Sequence, residues 1–166
     1  MRRAFTLIEM IAVIVILALL STAAAMSFSR PLQATRARDA VNQICALDAS
    51  ARQAARRFGK PVQIIFDLAD HTIQRRERDA ITFSSALPAG GKIDEIRTSA
   101  RRESLGEVFI DCSASGMSRT YAVHVVGPQL DRWVLFAGLT GQITQITDVA
   151  ELDSIFPPTT GGDDVD

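Results

Sequence analysis

Apolar and polar positions follow three regimes along the chain. From Phe5 to Phe28, 19 of 24 residues are apolar and Glu9 is the single charge. Neither a helical stripe nor a two-residue alternation divides this run, which predicts a helix surrounded by lipid or by protein on all sides. At about 1.5 Å per residue it would be roughly 36 Å long, enough to cross a hydrocarbon core of about 30 Å.

Pro31 is expected to kink the helix or start a new segment. Beyond it Ala40, Ile44, Leu47, Ala51, Ala54 and Phe58 recur at steps of four and three, one stripe facing a core. Arg36, Arg52 and Arg56 are predicted to point elsewhere, with Asp48 and Arg52 as a weak i, i+4 pair. Gly59 followed by Lys60-Pro61 predicts the helix stop.

The third regime reads as short strands: Val62 to Phe66, His71 to Arg75, Ala80 to Phe83, Ile93 to Arg97, Val108 to Cys112, Thr120 to Val126, Trp133 to Phe136 and Gln142 to Ile146. Turn signals at Asp67 to Asp70, Pro88 to Gly91, Ser115-Gly116, Gly127-Pro128 and Gly138 to Gly141 separate them, and a polar loop covers Thr98 to Gly106. Short strands behind one long helix make an α+β domain. Asp148 to Asp166, with Pro157-Pro158, Gly161-Gly162 and Asp163, Asp164 and Asp166, reads as a flexible acidic tail.

Composition changes this picture little. The chain has 166 residues, 47% hydrophobic and 22% charged, with a formal net charge of -1, which excludes a disordered or histone-like protein. Cys45 and Cys112 are too few for a disulfide scaffold or a four-cysteine zinc site, and read as free buried thiols.

The N-terminus admits several readings: a signal peptide cut after Ala23-Ala24-Ala25, a twin-arginine signal built on Arg2-Arg3, or a retained membrane helix. A carboxylate within a membrane helix costs about 2.5 to 3.5 kcal/mol at its centre, less near its end, and marks a functional position. Glu9 lies one helical turn after Phe5, behind a polar header of only Met1-Arg2-Arg3-Ala4. Phe5-Thr6-Leu7-Ile8-Glu9 followed by Met10 to Ala18 resembles the N-terminal motif of type IV prepilins and type II secretion pseudopilins. The resemblance implies an inner-membrane prepilin peptidase that cuts between Ala4 and Phe5 and N-methylates Phe5. The family's usual Gly before the cut is here Ala4. Resemblance also implies that Glu9 pairs with the N-terminal amine of a neighbouring subunit, an ion pair that favours correct register in an apolar bundle.

The stretch Ala51 to Val62 running into Ile64-Ile65-Phe66-Asp67, with the closing Gly138-Leu139-Thr140-Gly141-Gln142-Ile143 hairpin, resembles the GspH/FimT type of minor pseudopilins and minor pilins. This implies a pilin-like α+β fold, a long N-terminal helix packed on an antiparallel sheet domain. Its parts would be a leader at 1–4, a membrane and assembly half-helix at 5–30, an amphipathic half at 31–59, a β-rich domain at 60–147 and the tail at 148–166. The implied function is a non-enzymatic subunit of a type II secretion pseudopilus, or alternatively a minor type IV pilin for adhesion, motility or DNA uptake. The implied location is the bacterial inner membrane, single-pass, with the N-terminus cytoplasmic and the C-terminal domain periplasmic. Partners would be the prepilin peptidase, other pilins or pseudopilins and an inner-membrane assembly platform.

No nucleophile elbow, phosphate loop or zinc spacing occurs, and no cofactor is implied. His71 and His124 fall in strand patterns and read as ordinary sheet residues. The aspartates of the tail read as solvated, with weak calcium binding the alternative. Residues 30–102 carry net +6 and residues 103–166 net -8, so the two parts attract within or between subunits. Arg75, Arg76, Arg78, Arg97, Arg101 and Arg102 read as a solvated or subunit-facing patch, with an anion or DNA patch the alternative. Phe83 is the one aromatic between Asp67 and Val108, so base-stacking platforms are missing there.

Overall fold

The computed structural model describes residues 7–157 other than Ala89 and Gln129, without the side chains of 23–34 and Ala37. Helix α1 runs from Leu7 to Phe58, 52 residues. It continues through Pro31, so the expected new segment does not form. One missing N–H in a helix of this length leaves the flanking turns intact. Gly59, at φ 61°, ends the helix as the sequence predicts, and the Lys60 N–H donates to the Ala55 carbonyl at 3.3 Å, closing the last turn.

Nine strands follow: β1 (Val62–Asp67), β2 (Thr72–Glu77), β3 (Ala80–Ala86), β4 (Lys92–Thr98), β5 (Arg102–Glu103), β6 (Glu107–Cys112), β7 (Tyr121–Gly127), β8 (Leu130–Phe136) and β9 (Ile143–Ile146). They form two sheets, in the orders β3-β2-β1-β6 and β5-β4-β7-β8-β9, and every pairing is antiparallel. β5 lies inside the stretch expected to be loop. His71 sits in the turn before β2 rather than in the strand, with φ 50°.

Of the helical stripe predicted from spacing, Ala40, Ile44, Leu47, Ala51 and Ala54 are buried, joined by Val41 and Ala55, whereas Phe58, in the last turn beyond the packed part of the helix, is 58% exposed. The buried residues join Ile64, Phe66 and Ile110 from one sheet and Ile96, Val123 and Val134 from the other, so a single apolar cluster fastens α1 to both sheets.

The segment expected to begin the flexible tail is structured. Helix α2 spans Val149–Ile155, with Asp148 as its N-cap accepting from the Ala150 N–H at 2.9 Å. Leu152 and Phe156 are buried against Ala122, Trp133 and Ile146 on the outer face of the second sheet. The local acidity had masked two apolar residues one turn apart. Asp163, Asp164 and Asp166 lie outside the described residues.

Candidate assembly helix and the surfaces of the globular domain

The free half of α1 is the most unusual surface of the molecule. From Leu7 to Leu20 its large side chains are exposed on every side, with Leu7 at 78%, Ile14 at 64% and Leu20 at 61%. Apolar residues all round a helix bury themselves in protein or lipid, so this arm lacks its partner in the isolated chain. Glu9 lies in its first turn, exposed, where a carboxylate is favoured by the helix dipole. Ala4 and Phe5, the expected cleavage and methylation positions, lie outside the described residues. Among the described residues no helix is long and apolar enough to cross a membrane.

The other half of α1 carries a polar device of which spacing gave the Asp48–Arg52 pair but neither its burial nor its further partners. Arg52 is 3% exposed and Asp48 1%, and Arg52 Nε donates to Asp48 Oδ2 at 2.7 Å. Arg52 thus points inward, contrary to expectation. Its Nη1 donates to the carbonyls of Gly116 at 3.2 Å and Gly138 at 2.8 Å, and its Nη2 to Ser118 Oγ at 2.9 Å. Tyr121 on β7 donates its hydroxyl to Asp48 Oδ1 at 2.9 Å. One guanidinium therefore ties the helix to two turns, and the second carboxylate oxygen ties it to a strand. Gly138 makes this possible, since a Cβ there would stand 2.1 Å from the Ser118 carbonyl oxygen. Burial pushes the Tyr121 phenol well above its ordinary value, and the Asp48 charge acts in the same direction.

The six arginines of the candidate anion patch are divided between the two sheets. Arg75, Arg76 and Arg78 lie on β2 and the β2–β3 turn. Arg75 pairs with Glu77 at 3.0 Å and also donates to Ser50 and Thr82, while Arg76 donates to Gln63. Arg97, Arg101 and Arg102 lie at the β4–β5 end of the second sheet. Arg97 is buried, pairs with Glu95 and with Asp153 on α2 at 2.7 Å, and stacks its guanidinium 4.5 Å from the Trp133 ring centre. Arg102 shares Asp153 at 3.1 Å. The charge attraction expected between the chain's two parts is thus partly realised within the subunit, where Arg97 and Arg102 fasten α2.

His124 lies in a hollow of about 410 Å³ lined by Asp94, Glu95, Arg97, Asp131, Trp133, Thr147 and Val149. Its ring stacks on Trp133 with centres 4.5 Å apart, Nδ1 is 3.1 Å from Asp94 and Nε2 is 2.7 Å from Asp131. The histidine joins β4, β7 and β8, a sheet role. Among the described residues no group of three or more His, Cys, Asp or Glu is placed to hold a metal ion. Cys45 and Cys112 are both free thiols, Cys112 buried as expected and Cys45 only half-buried.

Residues 1–25 match the prokaryotic N-terminal methylation motif. Two solved structures share the fold, both of the minor pseudopilin EpsH from the type 2 secretion system of Vibrio cholerae. Each has a TM-score of 0.52 at 10% identity; one match covers 67% of this chain and 95% of the other, the second 68% and 96%. No curated protein matches the sequence.

Proposed function

We infer that this chain, a pilin-like protein by its N-terminal methylation motif and its minor-pseudopilin fold, is a structural, non-enzymatic minor pseudopilin of a type II secretion system. The observation that carries the reading is the arm of α1: an all-round apolar helix without a packing partner, attached to a domain that is fully packed without it. Such an arm is soluble in the inner membrane before assembly and in a bundle of like helices after it. In this reading prepilin peptidase removes Met1 to Ala4 and methylates Phe5. The arm is a single-pass anchor with a periplasmic domain, and Glu9 meets the amine of a neighbouring subunit. Growth of the short filament on an inner-membrane platform then promotes export of folded proteins.

The methylation motif serves pilus subunits equally, and a minor type IV pilin is the second reading. Against its DNA-uptake form, the six arginines are divided between two sheets, and Arg75, Arg97 and Arg102 are already paired with carboxylates. Intact-mass analysis of membranes tests the shared premise: loss of residues 1–4 and one added methyl group are expected, and an N-terminus at Met26 overturns it. Deleting the gene separates the two readings, since accumulation of exoproteins in the periplasm supports secretion and loss of surface pili with normal secretion supports the pilus.

A further inference from the structure

Where the free arm of α1 joins the packed half, helix and second sheet enclose a hollow of about 280 Å³ lined by Arg38, Val41, Asn42, Leu130, Arg132 and Gln145. Val41 and Leu130 are buried, and the four polar residues are exposed. The lining holds two guanidinium groups and no carboxylate. Arg132 Nη1 donates to Gln145 Oε1 at 2.8 Å, a neutral partner that steadies the guanidinium and leaves its other N–H groups for an acceptor. Neither arginine is in an ion pair among the described residues. The acids next to them in sequence do not fill the gap. Asp39 is not part of the lining, and Asp131 alternates to the other face of β8, where it lies 2.7 Å from His124 Nε2.

Two planar forks with the amides of Asn42 and Gln145 beside them are donors suited to the oxygens of a phosphate group. The position of the hollow along α1 indicates where that phosphate comes from. Arg30 is the first charge after Glu9 and marks the end of the apolar run. Arg38 lies eight residues further, about 12 Å along the axis. The headgroup layer of a bilayer takes up roughly 5 to 8 Å of that distance. A long arginine stem leaning toward the helix N-terminus covers the remainder. Arg30, Arg36 and Arg38 also stand on the periplasmic flank of the arm, whereas an excess of basic residues is usual on the cytoplasmic flank. A local anion on this side gives those charges a partner.

We propose that this hollow binds the phosphate group of a phospholipid in the periplasmic leaflet of the inner membrane, with Arg38 and Arg132 as its principal donors. The proposal rests on the reading of the arm as a membrane anchor. The contact holds the domain against the membrane while the subunit is stored there, and it is given up when the arm passes into a filament.

The test uses the full chain reconstituted in phosphatidylcholine vesicles that contain a phosphatidylglycerol analogue with a diazirine on its headgroup, and mass spectrometry maps the labelled peptides. Labelling is expected at residues 38–45 and 130–132, and should fall at least fivefold in Arg38→Gln with Arg132→Gln. Arg36→Gln removes an exposed charge outside the hollow and should keep the labelling. Circular dichroism checks folding. Should the double variant unfold, Arg38→Gln alone is expected to lower the labelling at least twofold. Equal labelling of the folded variants, or an equal fall for Arg36→Gln, overturns the proposal. Labelling abolished by inorganic phosphate equimolar with the analogue assigns the hollow to a free anion and overturns the lipid as its occupant. A second analogue with the diazirine on its acyl chain reports on the arm separately. A labelled arm with an unlabelled hollow overturns this proposal alone, and an unlabelled arm overturns the anchor together with it.

Discussion

Asp48 and Arg52 stand one turn apart on α1, and their side chains, 1% and 3% exposed, meet at 2.7 Å inside the apolar interface between helix and sheets. A pair this deeply buried is favourable only when its remaining hydrogen-bonding groups are satisfied. Here Tyr121, Ser118, Gly116 and Gly138 do so. The arrangement fixes the axial position of α1 against β7 and the two turns that follow β6 and β8, so the free arm leaves the domain in one orientation.

Arg52→Ala leaves Asp48 buried with only Tyr121 as partner, and a cost of about 3 to 5 kcal/mol is expected. Arg52→Lys is also expected to be strongly destabilising, because an ammonium cannot span the carboxylate, two carbonyls and a hydroxyl as the planar guanidinium does. Urea unfolding of the full chain in micelles measures both. A loss below about 1 kcal/mol for Arg52→Ala, the range of a surface pair, overturns the assigned role.

The same region predicts alkaline sensitivity. Burial, aided by the Asp48 charge, pushes the Cys112 thiol from 9.0 up to about 11 and the Tyr121 phenol well above 10.0. The native state keeps these protons at a pH where the unfolded chain has released them. Stability is therefore complete below pH 9, falls between 9 and 11 through Cys112, and falls further above pH 10 through Tyr121. Each retained proton contributes a slope of about 1.4 kcal/mol per pH unit. Urea midpoints at pH 8, 9.5 and 10.5 should decline in that order, and Cys112→Ala should flatten the first part of the decline.

Helix α2 supplies the third prediction. Leu152 is fully buried and packs in the cluster that covers Trp133, the chain's one tryptophan. Leu152→Ala is expected to cost about 2 to 5 kcal/mol if α2 unfolds only with the domain. Detachment of α2 alone would instead move the Trp133 emission to longer wavelength before the main transition. Asp148→Ala, which removes the cap, should give the same sequence of events at a cost of about 0.5 to 2 kcal/mol. Tryptophan emission that is unchanged in both variants before global unfolding, with no loss of stability, excludes a docked α2.

How much of this was legible in the sequence depends on which physical signal each element carries. The Ala40 to Ala54 stripe and the Gly59 stop are local and periodic, and both were readable from spacing. Arg52 was not, because its burial depends on carbonyls at Gly116 and Gly138, 64 and 86 residues away. Charge alone places an arginine in solvent. A legible signal for α2 did exist, since Asp148 and Glu151 have the spacing of a capping box ahead of Leu152 and Phe156, but seven helical residues lie below what periodicity can resolve. The arginine set was legible as composition only; its division between two sheets is a property of strand order, which no local pattern records.

The last prediction concerns Glu9. It is the one charge between Phe5 and Phe28 and lies exposed at the start of the apolar arm. A carboxylate there opposes transfer into hydrocarbon, so Glu9→Ala should insert into the inner membrane at least as well as the unaltered chain. The role proposed for Glu9 lies in the assembled bundle, where it matches a neighbour's amine and an incorrect register leaves that amine unpaired. Glu9→Ala should therefore remain in the membrane fraction after carbonate extraction, while its recovery in sheared or cross-linked filaments falls at least tenfold. Glu9→Asp, which keeps the charge on a shorter stem, should fall less. Equal incorporation of Glu9→Ala and the unaltered chain would remove the pairing role and leave Glu9 as a residue favoured only by its place in the first turn of the helix.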